Sequence, residues 1–240
     1  MSVLQTIDIA KQYLKRRVVD GISINVETGR IVGMLGPNGA GKTTSFYMIA
    51  GFIRPDRGQV ILDGENITTL PIHKRARKGI SYLAQDSSVF KKLTVEENVR
   101  IILEPLGLSR KKIKERINEL FSELKIGYLA DHQAHSLSGG ERRRVEIMRA
   151  LATNPRFILL DEPFAGIDPL AVADLQQIIL DLKAKGLGIL ISDHNVRETL
   201  AVCDNAYIVS NGKILTTGPA EEIISSKEAR RIYLGENFRM

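Results

Sequence analysis

The stretch Gly36-Pro37-Asn38-Gly39-Ala40-Gly41-Lys42-Thr43 has the spacing of a phosphate cradle. Its glycines let successive backbone N–H groups curl around an anion, and a helix that follows points its positive end at the same place. In this pattern Lys42 reaches the β- and γ-phosphates and Thr43 ligates Mg²⁺; Thr44 comes next in the nucleotide set. The loop sits between an apolar run over residues 31–35 and a predicted helix from Lys42 to Ala50, closed by Gly51. That context separates a phosphate loop from an ordinary Gly-rich turn. Asp161 and Glu162 follow the apolar run 157–160. Carboxylates at the end of a buried parallel strand lie where open α/β sheets bind ligands. Asp161 suits Mg²⁺, and Glu162 is then available to orient or deprotonate a water. The plainer alternative is an acidic capping pair in a loop, which Pro163 also fits.

His194 follows another apolar run, 187–192, and so falls at the same sheet edge as Asp161, which favours a γ-phosphate contact over a solvated histidine. Gln85 follows Ile80-Ser81-Tyr82-Leu83, again a strand end; taken alone, a glutamine there is an exposed loop residue. Tyr13 offers a flat face to a base, and an ordinary core or surface tyrosine is the competing reading. Leu137-Ser138-Gly139-Gly140-Glu141 exposes two glycine N–H groups at a helix start, with Ser138 and Glu141 at capping-box spacing. From spacing alone this is an N-cap. The guanine-reading Asn-Lys-x-Asp pattern is absent, which favours ATP.

The elements needed to position these residues are legible. Ile22, Ile24 and Val26 alternate with polar residues, as in a half-buried strand. Residues 60–62 followed by Asp63-Gly64 predict a strand and a tight turn. Thr94 and Glu97 form a capping box, and Ser109 caps a helix whose apolar face is Ile113, Ile117, Leu120, Phe121 and Leu124. Asp168-Pro169 starts a helix presenting Val172, Leu175, Ile178, Ile179 and Leu182, stopped by Gly186. Residues 206–209 and 213–215, joined through Asn211-Gly212, predict a hairpin, and a last helix begins near Pro219. Strands alternating with helices predict an α/β fold with a mainly parallel sheet, interrupted by a helical section over 87–155.

The 240 residues are 43% apolar, enough for a proper core, and contain no apolar run long enough to span a membrane. One cysteine, Cys203, suits a reducing cytosol. The net charge of +6 is compatible with nucleic acid or with an anionic membrane leaflet. The basic runs at 74–78, 111–114 and 142–144 lack the interleaved aromatics that stack bases, which disfavours nucleic acid. The middle run reads as a solvated helix face. Val89-Phe90, just past Gln85, is either an apolar dock for a partner or part of the helical core.

In chain order, Tyr13, residues 36–43, Gln85, 137–141, 158–162, Ala165-Gly166-Ile167-Asp168 and His194 resemble the motifs of ABC transporter ATPase subunits, and the resemblance covers nearly the whole chain. It implies a P-loop NTPase fold: a RecA-like core with an antiparallel β subdomain (1–86 and 156–240) and a helical subdomain (87–155), together one ABC ATPase domain. It implies an ATPase in which Tyr13 stacks on adenine and residues 36–44 hold the phosphates. Thr43, Gln85 and Asp161 then serve Mg²⁺, and Glu162, His194, Gln85 and Lys42 serve hydrolysis. Ser138, Gly139 and Gly140 close on ATP held by a second copy in a head-to-tail homodimer.

Phe46-Tyr47-Met48-Ile49, Arg75-Ala76-Arg77, Arg142-Arg143-Arg144-Val145-Glu146, Phe164 through Pro169, Asp193 through Leu200 and the tail Tyr233 through Arg239 resemble one branch of that family, which serves lipopolysaccharide export. That branch implies two membrane-spanning subunits, contacted near Phe90, further components of an export bridge, and work on the cytoplasmic face of the inner membrane. Branched-chain amino-acid importers share every catalytic motif and are the alternative. A soluble ABC ATPase acting on DNA or ribosomes fits less well, since the chain holds one cassette and no sustained heptads. The chain departs from the family pattern at Ala84, where proline is usual, at Asp86-Ser87-Ser88, and at Met148, where a small residue is usual.

Overall fold

The chain begins with strands that alternate inward and outward residues. The structure, a computed structural model, describes residues 1–235 and Phe238. Strand β1 (Val3–Tyr13) pairs antiparallel with β2 (Arg16–Ile22), β3 (Asn25–Glu27) and β5 (Arg57–Leu62). A short β6 (Glu65–Asn66) completes this antiparallel sheet. The predicted alternation of Ile22, Ile24 and Val26 holds in burial, but the run is divided between β2 and β3. Tyr13 is the last residue of β1.

The second sheet is built from β4 (Ile31–Leu35), β7 (Ile80–Leu83), β8 (Phe157–Asp161), β9 (Gly188–Ser192), β10 (Asn205–Ser210) and β11 (Lys213–Gly218). Its order is β11-β10-β4-β9-β8-β7. All neighbours are parallel except the β10–β11 hairpin at the edge. Strands covered on both faces read as unbroken apolar runs, and β8 shows why. Phe157 and Leu159 pack with helix α1 (Lys42–Ala50) and the antiparallel sheet, whereas Ile158 and Leu160 pack with the helices on the other face.

Those helices are α3 (Val95–Leu103), α4 (Arg110–Leu124), α5 (Gly139–Leu151) and α6 (Pro169–Ala184); the remaining α-helices among the described residues are α2 (Ile72–Arg77), α7 (Val196–Leu200), α8 (Ala220–Ser225) and the single turn α9 (Lys227–Ala229). The predicted caps form as drawn: Thr94 with Glu97 makes a capping box, Ser109 accepts from the Lys112 N–H, and Asp168 accepts from the Ala171 N–H. The five predicted apolar positions of α4 are all buried, and Lys111, Lys112 and Lys114 are exposed.

The other two basic runs behave differently. Arg75 is wholly buried and donates to the carbonyls of Met48, Ile49, Leu70 and Thr68, closing the C-terminal end of α1. Burial pushes its guanidinium down to about 10. Arg143 is buried against Glu146. No helix among the described residues is long and apolar enough to cross a membrane.

Candidate functional site

Parallel strands deliver their C-terminal ends to one edge. Because β4, β9 and β8 are adjacent, the loops after Leu35, Ser192 and Asp161 converge there, although they are far apart in sequence. The loop 36–41 leaves β4 beside the β10 backbone. A Cβ on Gly36 would run into the Val209 carbonyl, and one on Gly41 into the Val18 carbonyl, so both positions require glycine. Gly41 is also the N-cap of α1, and no side chain caps it. The first N–H groups of α1 are thus left to an incoming ligand.

Lys42 is buried at the base of this loop and donates to the Gly36 carbonyl at 2.7 Å and the Pro37 carbonyl at 3.1 Å. Burial lowers its pKa, and the nearby charges of Glu162, Asp193 and Asp161 oppose that shift. A hollow of about 230 Å³ opens here, lined by Arg16, Asn38, Lys42, Thr43, Thr44 and Glu162 among others. Tyr13 does not line it; Tyr13 is 45% exposed and pairs in register with Arg16, which does.

Asp161 ends β8 fully buried. Its Oδ2 accepts the Tyr82 hydroxyl at 3.0 Å, while Oδ1 makes no hydrogen bond. Burial pushes its carboxyl up to about 6, against the opposing effect of the Tyr82 bond. Glu162 has a left-handed backbone, φ 45°, and its N–H donates to the Ser192 carbonyl at 2.6 Å. Its Oε2 receives Gln85 Nε2 at 2.8 Å and lies 3.2 Å from His194 Nδ1. The fold therefore brings together Glu162, Gln85 and His194, three residues from three loops.

Sequence reasoning missed Tyr82 and Asp193. The Asp193 carboxylate is wholly buried and accepts the N–H groups of Phe164, His194 and Asn195. Burial raises its pKa. A carboxylate at the end of an apolar strand was the available signal, the same one that marked Asp161. The Tyr233 hydroxyl donates to the His194 carbonyl at 3.2 Å, and burial pushes it up to about 12. Of the tail stretch singled out in sequence, Glu236, Asn237 and Arg239 lie outside the described residues.

Ser138 caps α5. Its hydroxyl accepts from the Glu141 N–H, and Glu141 Oε2 accepts the Ser138 N–H at 2.9 Å and its hydroxyl at 2.7 Å. A Cβ on Gly139 would meet only open space. Ser138 and Gly140 line a hollow of about 310 Å³ with Tyr128, Asp168 and Leu170, and no residue of 36–44 lines it. Gly139 also borders a smaller hollow with Gln85 and Glu162.

Downstream of Gln85, Val89 is buried and Phe90 is 45% exposed, so the pair is split between core and surface. The segment is tied to α5: Arg143 donates to the Ala84 carbonyl at 3.1 Å, Arg149 to the Ser88 carbonyl, and the Arg149 guanidinium lies 4.9 Å over the Phe90 ring.

Residues 19–165 match the ABC transporter family model. The chain belongs to the ABC transporter ATPase family. It is 53% identical to the lipopolysaccharide export system ATP-binding protein LptB of Haemophilus influenzae over 241 aligned positions, covering all of both chains. The LptB of Acidithiobacillus ferridurans is 54% identical over 99% of each. The fold also matches a crystal structure of an ATP-binding cassette of an ABC transporter in its ADP conformation, with a TM-score of 0.88 and 34% identity over 98% of this chain and 100% of that one. The expected ABC ATPase fold is thereby borne out. The chain is an ATP-binding, ATP-hydrolysing subunit of an ABC transporter.

Proposed function

We propose that two copies of this chain close on Mg-ATP and hydrolyse it to power the extraction of lipopolysaccharide from the inner membrane. They work from the cytoplasmic face with two membrane-spanning subunits and, through these, with further components of an export bridge. The observation that carries the cargo is identity above one half, end to end, with two proteins named for lipopolysaccharide export.

The mechanism rests on the chain's own groups. Lys42 exchanges the carbonyls of Gly36 and Pro37 for phosphate oxygens, which match an ammonium better. The uncapped start of α1 receives the β-phosphate, and Tyr13 lies one cross-strand pair from the hollow, where a base would extend. Glu162 orients a water in line with the γ-phosphate once Gln85 and His194 turn from its carboxylate to the ligand.

The donors present fit Mg²⁺. The unpartnered Asp161 Oδ1, the Thr43 hydroxyl and the Gln85 amide oxygen are hard oxygen donors, and Mg²⁺ takes few protein ligands beside phosphates. When bound, the ion neutralises charge on the β- and γ-phosphates. Among the described residues no group of three His, Cys, Asp or Glu forms a separate metal cage.

A homodimer accounts for Ser138 and Gly140, whose hollow shares no residue with the phosphate loop of the same chain. A head-to-tail arrangement sets each α5 start against the γ-phosphate held by the other copy. Exposed Phe90, backed by Arg149, is the docking point for the membrane subunits.

Co-purification tests this reading. Tagged wild-type chain is expected to retain lipopolysaccharide-export membrane subunits, and reconstituted vesicles to release lipopolysaccharide only with hydrolysable ATP. Phe90→Ala is expected to keep the hydrolysis of the isolated protein near normal and to lose the membrane subunits. Capture of importer subunits instead, or undiminished capture by the variant, would overturn the respective assignment.

A further inference from the structure

The geometry points to Asp193 as the residue that positions Glu162 and His194 against each other, acting through their two loops without touching substrate. This rests on the reading of Glu162 and His194 as the hydrolytic pair. Asp193 is 0% exposed, and among the described residues no Lys or Arg pairs with it. Burying a carboxylate is costly unless hydrogen bonds replace its water. Here three backbone N–H groups do so. Oδ1 takes those of His194 at 2.7 Å and Asn195 at 2.8 Å, and Oδ2 takes that of Phe164 at 3.0 Å.

Holding the turn that precedes α7 needs only one acceptor atom. The second oxygen reaches across to the loop that follows Glu162. An asparagine could not do both, because its NH₂ would face an N–H group. Asp193 is therefore a strap between two loops, parallel to the backbone bond from the Glu162 N–H to the Ser192 carbonyl. Glu162 needs such straps. Its φ of 45° is uncommon for a residue with a side chain and persists only where the surroundings over-determine it. One strap holds Glu162 itself and the other holds Phe164, two residues on. The same carboxylate fixes the His194 N–H, and the two side chains then meet 3.2 Å apart. Asp193 lines neither the phosphate hollow nor the one beside it, and its charge reaches Lys42 only at a distance, so its loss should not weaken nucleotide binding.

The test compares wild type, Asp193→Asn, His194→Ala and the double variant in the full-length chain, by ATP turnover and by equilibrium binding of an ATP analogue. Asp193→Asn is expected to lower kcat by about 10- to 100-fold, the scale of a misplacement of about 1 Å, with binding of the analogue no more than about twofold weaker than in wild type. In the His194→Ala background it should cost several-fold less, because part of what it positions is gone. Unchanged kcat overturns the proposal, as do a parallel loss of affinity or full additivity with His194→Ala. If His194→Ala is itself without effect, the hydrolytic reading of the pair fails instead. Should Asp193→Asn not fold, Asp193→Glu, which keeps the charge and moves it by one methylene, carries the same comparison.

Discussion

Two Gly-rich helix starts serve this molecule, and they are built in opposite ways. The start of α1 has no side-chain cap and no acidic residue in its first turn, and a buried lysine sits at its base. The start of α5 is closed by its own serine and glutamate, with Glu141 held below the usual carboxylate range chiefly by the Ser138 hydroxyl. An uncapped helix start surrounded by fixed N–H groups can take an anion directly. A capped one must have its hydroxyl released from the glutamate before it can contact a phosphate. Under the proposed function, the difference separates a site that binds nucleotide within one chain from a half-site that gains a ligand only when a second copy supplies it.

The contrast can be broken experimentally, beginning with the largest effect. Glu162→Gln is expected to bind ATP and lose hydrolysis by about 10²–10⁴-fold, the range for a positioned base; near-normal turnover would remove Glu162 from that role. Lys42→Ala should weaken ATP binding by a single isolated copy by about 1.5–3 kcal/mol, the scale of a hydrogen bond to a charged group, as read by titration calorimetry. Ser138→Ala should leave that one-copy affinity unchanged while reducing turnover, and equal losses in the two variants would erase the distinction between site and half-site.

Asp161→Asn sharpens the comparison through pH. The folded chain holds the Asp161 proton up to about pH 6, against an ordinary value of 3.8. Ionisation therefore costs stability; the cost is absent below 3.8, grows between the two values and is complete above 6. The variant should be more stable than wild type by about 3 kcal/mol at pH 8 and nearly equal to it near pH 4, measured as the difference in unfolding free energy at each pH. The smallest effect is the cap itself. Ser138→Ala should destabilise α5 by about 1 kcal/mol, visible as a modest fall in Tm.

Much of this was legible in residue order. The phosphate loop, the helix Lys42–Ala50, the two capping boxes and the apolar face of α4 follow from short-range rules, and each occurs where those rules put it. What was not legible depends on distant partners. Arg75 looked like part of a basic run and is instead a buried cap for α1, because the four carbonyls it serves lie on separate segments. Tyr82 reaches Asp161 across the pair β7–β8, and Val89 and Phe90 part company only once α3 and α5 are in place.

By itself, the sequence determined the buried parallel strands, the capped helices α3, α4 and α6, where the Gly-rich loop before α1 lies, and that Asp161 ends a buried strand, since period, glycine placement and capping act over a few residues. Only the tertiary structure decided that Gln85, Glu162 and His194 share one contact, that Asp193 straps two loops, and that Ser138 lies away from the phosphate loop of its own chain. The physical reason is strand order. β4, β9 and β8 are neighbours through backbone hydrogen bonds, not through sequence, and their ends carry the chemistry to one edge.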